Sequence, residues 1–214
     1  YRQCIKLIEK TEYIAEETEN FQLMIDILMW KKKCLGYTTG LQNAAEVNTH
    51  IDKYLSLLNN LKRITDYYYE SNLIQSKHGK NPGYKVLLKL TKIIKHPEMQ
   101  YEAKSLSYSA KIYFHLVYSN YYFCVDDKKK ELEHLRKLVA LIAQFKSYAV
   151  ENPLDFVSIF NRLLSIEKHF DKSNFFMSNN CGSLVLGIFV LCFISAVFIS
   201  FTNSDSVCIS IVSF

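Results

Sequence analysis

Apolar residues recur every three or four positions along most of the sequence before residue 170, which is the spacing of one face of an α-helix. No segment before that point shows a dependable alternation of apolar and polar residues, the pattern that predicts a β-strand. The clearest helical run comprises Val47, Ile51, Tyr54, Leu55, Leu58, Leu61 and Ile64. It predicts one long helix that continues into the tyrosines at 67–69.

Two shorter helices are predicted before this run. The first covers residues 1–17, and the second begins after a cap at Thr18 or Asn20. The apolar residues of the second end in Trp30 before three lysines, which suit the negative end of a helix dipole. The residues expected to form the buried stripe of the first helix are Ile5, Ile8, Tyr13 and Ile14.

Residues 111–125 are apolar or aromatic on nearly every side, with no charge after Lys111. A helix of this composition must be covered on most sides, so we expect it at the centre of the domain. Asn152 and Pro153 then mark the start of a further helix, because Asn caps helices and Pro suits a first turn. The expected buried side of this last helix is Phe156, Phe160, Leu163 and Leu164.

An uncharged run, residues 184–201, interrupts this helical pattern near the end of the sequence. It is about long enough to cross a hydrocarbon core of roughly 30 Å as a helix. One interpretation is a membrane anchor, and another is out-of-frame translation of an AT-rich gene, because the charged sequence switches abruptly to a segment without lysine, arginine or glutamate. A buried core helix is a third interpretation. The residues representing the candidate membrane segment are Leu184, Phe189, Phe193 and Phe201.

Composition favours a helical globular protein. The chain has 214 residues, 49% of them hydrophobic and 22% charged, with only six glycines and three prolines. So few turn-forming residues favour helices joined by short loops. The net charge is +5, but acids are interleaved with bases, so a nucleic-acid surface is not predicted. The sequence begins with Tyr1 and has no basic-then-apolar leader, so we expect a fragment or processed form without a visible signal peptide.

The residue types that usually carry catalysis do not form a recognisable set. The six histidines are scattered, and no phosphate-binding loop or nucleophile elbow appears. We therefore expect no enzymatic activity, no cofactor and no metal site. His115 is interpreted as a core histidine with a hydrogen-bond partner. The acidic residues at the first helix junction, Glu16, Glu17 and Glu19, are expected to face water.

Two segments resemble tetratricopeptide repeats, whose pattern begins W-x-x-L-G-x-x-Y. The first reads His115-x-x-Tyr118-Ser119-x-x-Tyr122, and the second reads Val157-x-x-Phe160-Asn161-x-x-Leu164. The downstream positions match only in part, because Glu131 stands where alanine is expected and the copies lie 42 residues apart. The order of segments over residues 1–176 is similar to that of divergent bacterial tetratricopeptide-like proteins.

The resemblance implies antiparallel helix pairs stacked as an all-α solenoid, here followed by an apolar C-terminal helix. It also implies a non-catalytic scaffold that binds a protein or peptide on the concave face made by the first helix of each pair. In the register of this sequence, that face would include Tyr113, Asn120, Ser158 and Arg162.

Two other functions stay open at the level of sequence: a membrane-tethered helical regulator, and a helical RNA-binding protein that uses the basic and tyrosine-rich surfaces. The expected domains are the repeat domain, residues 1–176, and the apolar tail, residues 177–214. We expect the protein in the cytoplasm, held at a membrane if the apolar tail is an anchor.

Overall fold

A computed structural model describes residues 2–38 and 41–174 of the chain, and the regular structure within these two ranges is helical throughout. The prediction of an all-α fold is confirmed for this part of the chain. A short 3₁₀ turn, Glu102–Lys104, lies before α5. The helices are α1 (Arg2–Glu17), α2 (Phe21–Thr38), α3 (Leu41–His78), α4 (Tyr84–Ile94), α5 (Tyr108–Cys124), α6 (Lys128–Gln144), α7 (Lys146–Glu151) and α8 (Pro153–Asn174).

The chain divides into two units between Lys168 and His169. The first unit holds α1 to α7 and most of α8. The apolar run at 184–201 and the predicted tail at 177–214 lie outside the described residues. Within the described part of the chain, no helix is both long and apolar enough to cross a membrane.

The first hydrophobic core forms where α1 and α2 pack beside the first half of α3. Asn20 begins α2 as predicted, because its side-chain Oδ1 accepts a hydrogen bond from the backbone N–H of Leu23 at 3.1 Å. The buried members of this core are Ala15, Phe21, Met24, Ile25, Ile27, Leu28, Val47 and Tyr54.

The predicted stripe on α1 is wrong at one pair of residues. Tyr13 and Ile14 are 66% and 48% exposed, whereas their neighbour Ala15 is completely buried. The small side chain of Ala15 therefore lies at the contact, and the larger residues beside it face outward. Trp30, at the end of the apolar run of α2, is also mostly exposed.

Helix α3 joins two cores, because its second half packs in a separate cluster with α4 and α5. Leu61 lies between the two clusters and packs against both. The buried members of the second core are Ile64, Ile74, Leu90, Ile93, Met99, Ala110, Phe114, Val117 and Cys124. The long helix predicted from the run at 47–64 is confirmed, and it extends to His78.

Helix α5 lies at the centre of this unit, as its apolar composition predicts. Nine of its residues are buried, and it packs against α3, α4 and α6. Ser107 caps the helix by accepting a hydrogen bond from the backbone N–H of Ala110. Asp127 caps α6 in the same way, so the acidic pair at 126–127 both turns the chain and starts the next helix.

The entry to α8 differs from its prediction in one contact. Asn152 precedes Pro153 as expected, but its Nδ2 donates to the carbonyl of Tyr148 at 3.2 Å, so its side chain holds the end of α7. Phe156, Ile159 and Leu163 are the buried residues of α8. Phe160 and Leu164, which were predicted on the buried side, are only partly covered.

Candidate functional site

A groove of about 290 Å³ opens between α3, α5 and α8. Four buried residues form its base: Leu116, Asn120, Leu135 and Ile159. The exposed side chains at its mouth include Asp155 and Ser158. The full set of lining residues is Tyr68, Asn72, Gln75, Ser76, Gly79, Leu116, Asn120, Phe123, Leu135, Asp155, Ser158, Ile159 and Arg162.

The α3 wall is polar because Tyr68, Asn72, Gln75 and Ser76 recur at helical spacing on one side of that helix. The opposite wall comes from α8, whose first two turns present Asp155 and its neighbours to the same space. The groove thus combines hydroxyl and amide groups at its walls with a base of three apolar side chains and the amide of Asn120. A mainly apolar lining with a few placed polar groups is typical of binding sites in proteins.

Arg162 on α8 joins three helices at one end of this groove. Its Nε donates to Glu131 Oε1 on α6 at 2.6 Å, and its Nη1 donates to Asn120 Oδ1 on α5 at 3.0 Å. Its Nη2 donates to the backbone carbonyl of Ser119 at 2.9 Å. The guanidinium also lies 5.1 Å from the centre of the Phe123 ring, within cation–π distance. These contacts fix the arginine head in one position.

Asn120 extends the same network to α3. Its Nδ2 donates to Ser71 Oγ at 3.2 Å, and Ser71 Oγ donates to the backbone carbonyl of Tyr68 at 2.9 Å. Asn120 and Ser71 are 2% and 0% exposed, so both are removed from water. The base of the groove is therefore held by hydrogen bonds between buried groups, which restrict its geometry.

Glu131 is the buried acid of this network, with 2% of its surface exposed. Burial raises the pKa of its carboxyl above the usual range, while the charge and hydrogen bond of Arg162 act in the opposite direction. The arginine keeps a carboxylate in a place where an unpaired one would be unstable. The charge of Arg162 is thereby compensated within the protein.

A cluster of tyrosines continues the α3 wall. The ring centres of Tyr68 and Tyr113 lie 5.2 Å apart, and those of Tyr113 and Tyr148 lie 6.4 Å apart at 80°. Burial, and then the charge of Asp155, raise the pKa of Tyr68 to about 12. Burial is also the main cause of the raised pKa values of Tyr113 and Tyr148. All three phenols are protonated at neutral pH.

Three of the four residues predicted on the concave face, Asn120, Ser158 and Arg162, line this groove. The fourth, Tyr113, lies behind the wall and contacts the Tyr68 ring. The structure therefore brings the four residues into one region.

Sequence reasoning missed the α3 wall and the acid at the mouth, Asp155. One signal was present: Tyr68, Asn72 and Gln75 put polar groups on one side of a helix whose neighbouring turns are buried. The pairing of Glu131 with Arg162 has no such local signal, because the two residues are 31 positions apart.

His115 is 1% exposed, and its Nδ1 lies 2.9 Å from Nδ1 of His134 on α6. This confirms the interpretation of His115 as a core histidine with a hydrogen-bond partner. In the part of the chain that the structure describes, no three His, Cys, Asp or Glu side chains are arranged to hold a metal ion.

Comparison of the chain with protein-family models, with curated proteins and with solved structures finds no match.

Proposed function

We propose that this chain is a non-catalytic, tetratricopeptide-like scaffold that binds a protein or peptide in the groove between α3, α5 and α8. One observation carries the proposal: the three helices present side chains to a single groove whose base is fixed by the Arg162 network. A preorganised surface of this kind binds with little loss of side-chain entropy.

The volume of the groove limits the size of the ligand that it can bind. Its volume of about 290 Å³ is at the lower end of the range of ligand pockets, which is about 300–1,000 Å³. A space of this size holds one or two side chains of a partner. We therefore infer that a short linear segment of the partner enters it.

The resemblance to tetratricopeptide repeats supports the same surface. We propose that α5 pairs with α6 and that α8 begins a further pair. The concave face would then include α5 and α8, and α3 lines the groove beside them.

The charges of the groove favour a peptide over RNA. Among the described residues, the charged ones in its lining are Asp155 and Arg162, and the arginine is already paired with Glu131. A phosphate group entering the groove would be repelled by the carboxylate of Asp155 and would find no uncompensated cation in this lining, whereas RNA binding depends on such cations.

The other alternative function, a membrane-tethered regulator, depends on residues 184–201, which lie outside the described residues.

Selection of random peptides on the purified full chain tests the proposal. We expect linear peptides to be enriched and their binding to be lost when Ser158→Trp fills the mouth of the groove. Ser56→Trp on an exposed position of α3 is the matched control and should leave binding unchanged.

Two results would contradict the proposal. One is a selection that enriches no peptide, and the other is equal binding of the selected peptides to both tryptophan variants. Tight binding of single-stranded RNA with a steep dependence on salt would favour the RNA function instead.

A further inference from the structure

The two charges that line the groove differ in one respect. Arg162 is compensated, because its Nε lies 2.6 Å from the buried carboxylate of Glu131. Asp155, in the first turn of α8, is exposed and has no hydrogen bond or ion pair with any described residue. The uncompensated charge in the lining of the groove is therefore negative.

The groove that Asp155 lines has one tyrosine ring in its lining and two more behind it. Tyr68 lines the groove, Tyr113 lies 5.2 Å from it, and Tyr148 packs edge-on to Tyr113. The face of a tyrosine ring attracts cations, and this attraction strengthens where water is excluded. Phe123 cannot serve in the same way, since Arg162 and Lys80 already lie over its ring.

The charge of Asp155 acts on the same phenols. Burial is the main cause of the raised pKa of Tyr68, Tyr113 and Tyr148. The Asp155 charge is the next cause for Tyr68, whereas neighbouring tyrosines come before it for the other two. The hydroxyl of Tyr148 is buried and has no hydrogen-bond partner, which is unusual for a side chain that is 2% exposed. Among the described residues that line the groove, the positive group is Arg162, which is paired with Glu131, so the charge available to a ligand is that of Asp155.

We propose that Tyr68 and Asp155, in the lining of the groove, bind a lysine or arginine side chain of a peptide partner, with Tyr113 and Tyr148 packed behind Tyr68. The inference rests on the proposed function and adds the chemical class of its ligand. The cation would pair with the Asp155 carboxylate and lie against the Tyr68 ring. The side-chain amide oxygens of Asn72 and Gln75, which line the same wall, can accept its remaining N–H donors.

A preference for basic peptides would be opposite to the preference expected from the net charge of the chain. With +5 overall, the surface as a whole attracts acidic peptides and repels basic ones. A preference for a basic peptide must then arise at a local site of opposite charge. General electrostatic attraction would produce the reverse preference.

Titration of the isotope-labelled full chain with short peptides tests this inference. The probes are acetyl-Gly-Lys-Gly-amide and acetyl-Gly-Arg-Gly-amide, with norleucine and glutamate versions as neutral and acidic controls. We expect the basic probes to shift the side-chain amide signals of Asn72 and Gln75, while those of Asn59 on an exposed position stay unchanged. The norleucine version should bind about tenfold more weakly, because it lacks the ion pair and the cation–π contact.

Asp155→Asn should weaken binding of the basic probes about tenfold, since it removes the charge and keeps the shape. Asp52→Asn makes the same change at an exposed position on the first half of α3 and should have no effect. Equal binding of the norleucine and lysine probes, tighter binding of the glutamate probe, or equal effects of the two variants would overturn the inference.

Failure of this inference can be separated from failure of the proposed function. If selected peptides bind in the groove but carry no preference for lysine or arginine, the scaffold function stands and the cation site is wrong. If no peptide is selected and Ser158→Trp changes nothing, the scaffold function itself is wrong.

Discussion

The Nδ1 atoms of His115 and His134 lie 2.9 Å apart, so one of the two nitrogens carries a proton and donates it in a hydrogen bond to the other. Nε2 of His115 lies 3.4 Å from Glu102 Oε2, without the geometry of a hydrogen bond. Electrostatics favours the proton of His115 on this Nε2, facing the carboxylate. It follows that His134 Nδ1–H donates to His115 Nδ1, with Tyr118 stacked on the His134 ring at 4.9 Å.

The lowered pKa values of His115 and His134 predict that the free energy of unfolding depends on pH. Burial, aided by the charge of Lys137, lowers the pKa of His115 to about 4, and burial lowers that of His134 to about 4 as well. The unfolded chain takes up these protons near pH 6.5. The contribution of the two neutral rings to stability is therefore complete above about pH 6.5 and is lost as the pH falls towards 4. The free energy of unfolding falls by at most about 1.4 kcal/mol per pH unit for each ring.

Urea unfolding of the full chain between pH 7.5 and 4 measures this loss. His134→Gln should roughly halve the slope contributed by the pair. His50→Gln, at an exposed position, is the control and should leave the slope unchanged. Parallel curves for the wild type and His134→Gln would show that the histidine pair is not the cause.

Glu19 makes a second long-range contact that predicts a loss of stability. Its two carboxylate oxygens accept hydrogen bonds from the backbone N–H groups of Tyr108 and Ser109, both at 2.7 Å. A carboxylate at the start of a helix also interacts favourably with the helix dipole. Glu19→Gln keeps the size but offers one acceptor oxygen and no charge, so we expect unfolding to become easier by about 1 kcal/mol.

Glu17→Gln is the matched control for this change, because Glu17 is exposed on the same junction. It should alter the free energy of unfolding by less than about 0.5 kcal/mol. Equal losses of stability in the two variants would contradict the role given to the Glu19 carboxylate.

Asn60, on α3, makes two hydrogen bonds to the segment that precedes α5. Its Nδ2 donates to the carbonyl of Lys104 at 2.9 Å, and its Oδ1 accepts from the N–H of Leu106 at 3.0 Å. Asn60→Ala removes both bonds, and we expect a loss of about 1–2 kcal/mol. The amide hydrogen of Leu106 should exchange faster in this variant, whereas Asn59→Ala at the exposed neighbour should leave its exchange rate unchanged.

The helical period predicted the positions of the helices because each one buries a stripe of its own sequence. Val47, Tyr54 and Ile64 are all buried on α3, as the run at 47–64 predicts, whereas Leu55 of the same run is 41% exposed. The error at Tyr13 has a physical cause: the period identifies an apolar side of a helix but not which residue of that side reaches the neighbouring helix. There the small Ala15 makes the contact.

The contacts that fix the site could not be predicted in the same way. Glu19 was expected to face water, and that prediction was wrong, because its partners at the start of α5 lie 89 and 90 positions later. Glu131 was visible only as a mismatch to the repeat pattern. Such contacts depend on how helices pack, and no local pattern in the sequence encodes them.

The ion pair between Arg162 and Glu131 places a charge among packed helices. The Glu131 side chain is 2% exposed, and Arg162 reaches its carboxylate from α8. Removing one partner of a buried pair leaves the other charge uncompensated, which costs about 3–5 kcal/mol in proteins. Replacing both with apolar residues avoids that cost.

Arg162→Met should therefore destabilise the fold by about 3 kcal/mol in urea unfolding at pH 7. The double variant Arg162→Met, Glu131→Leu should recover at least about 1 kcal/mol of that loss, although the carbonyl of Ser119 and Oδ1 of Asn120 lose a donor in both. Because burial raises the pKa of Glu131, the loss caused by Arg162→Met, measured against the wild type at the same pH, should shrink as the pH falls and this carboxyl becomes protonated. Two results would contradict this account: a double variant less stable than the single one, or a loss in Arg162→Met that does not change with pH. Either result would show that Arg162 stabilises the fold mainly through packing and its other hydrogen bonds.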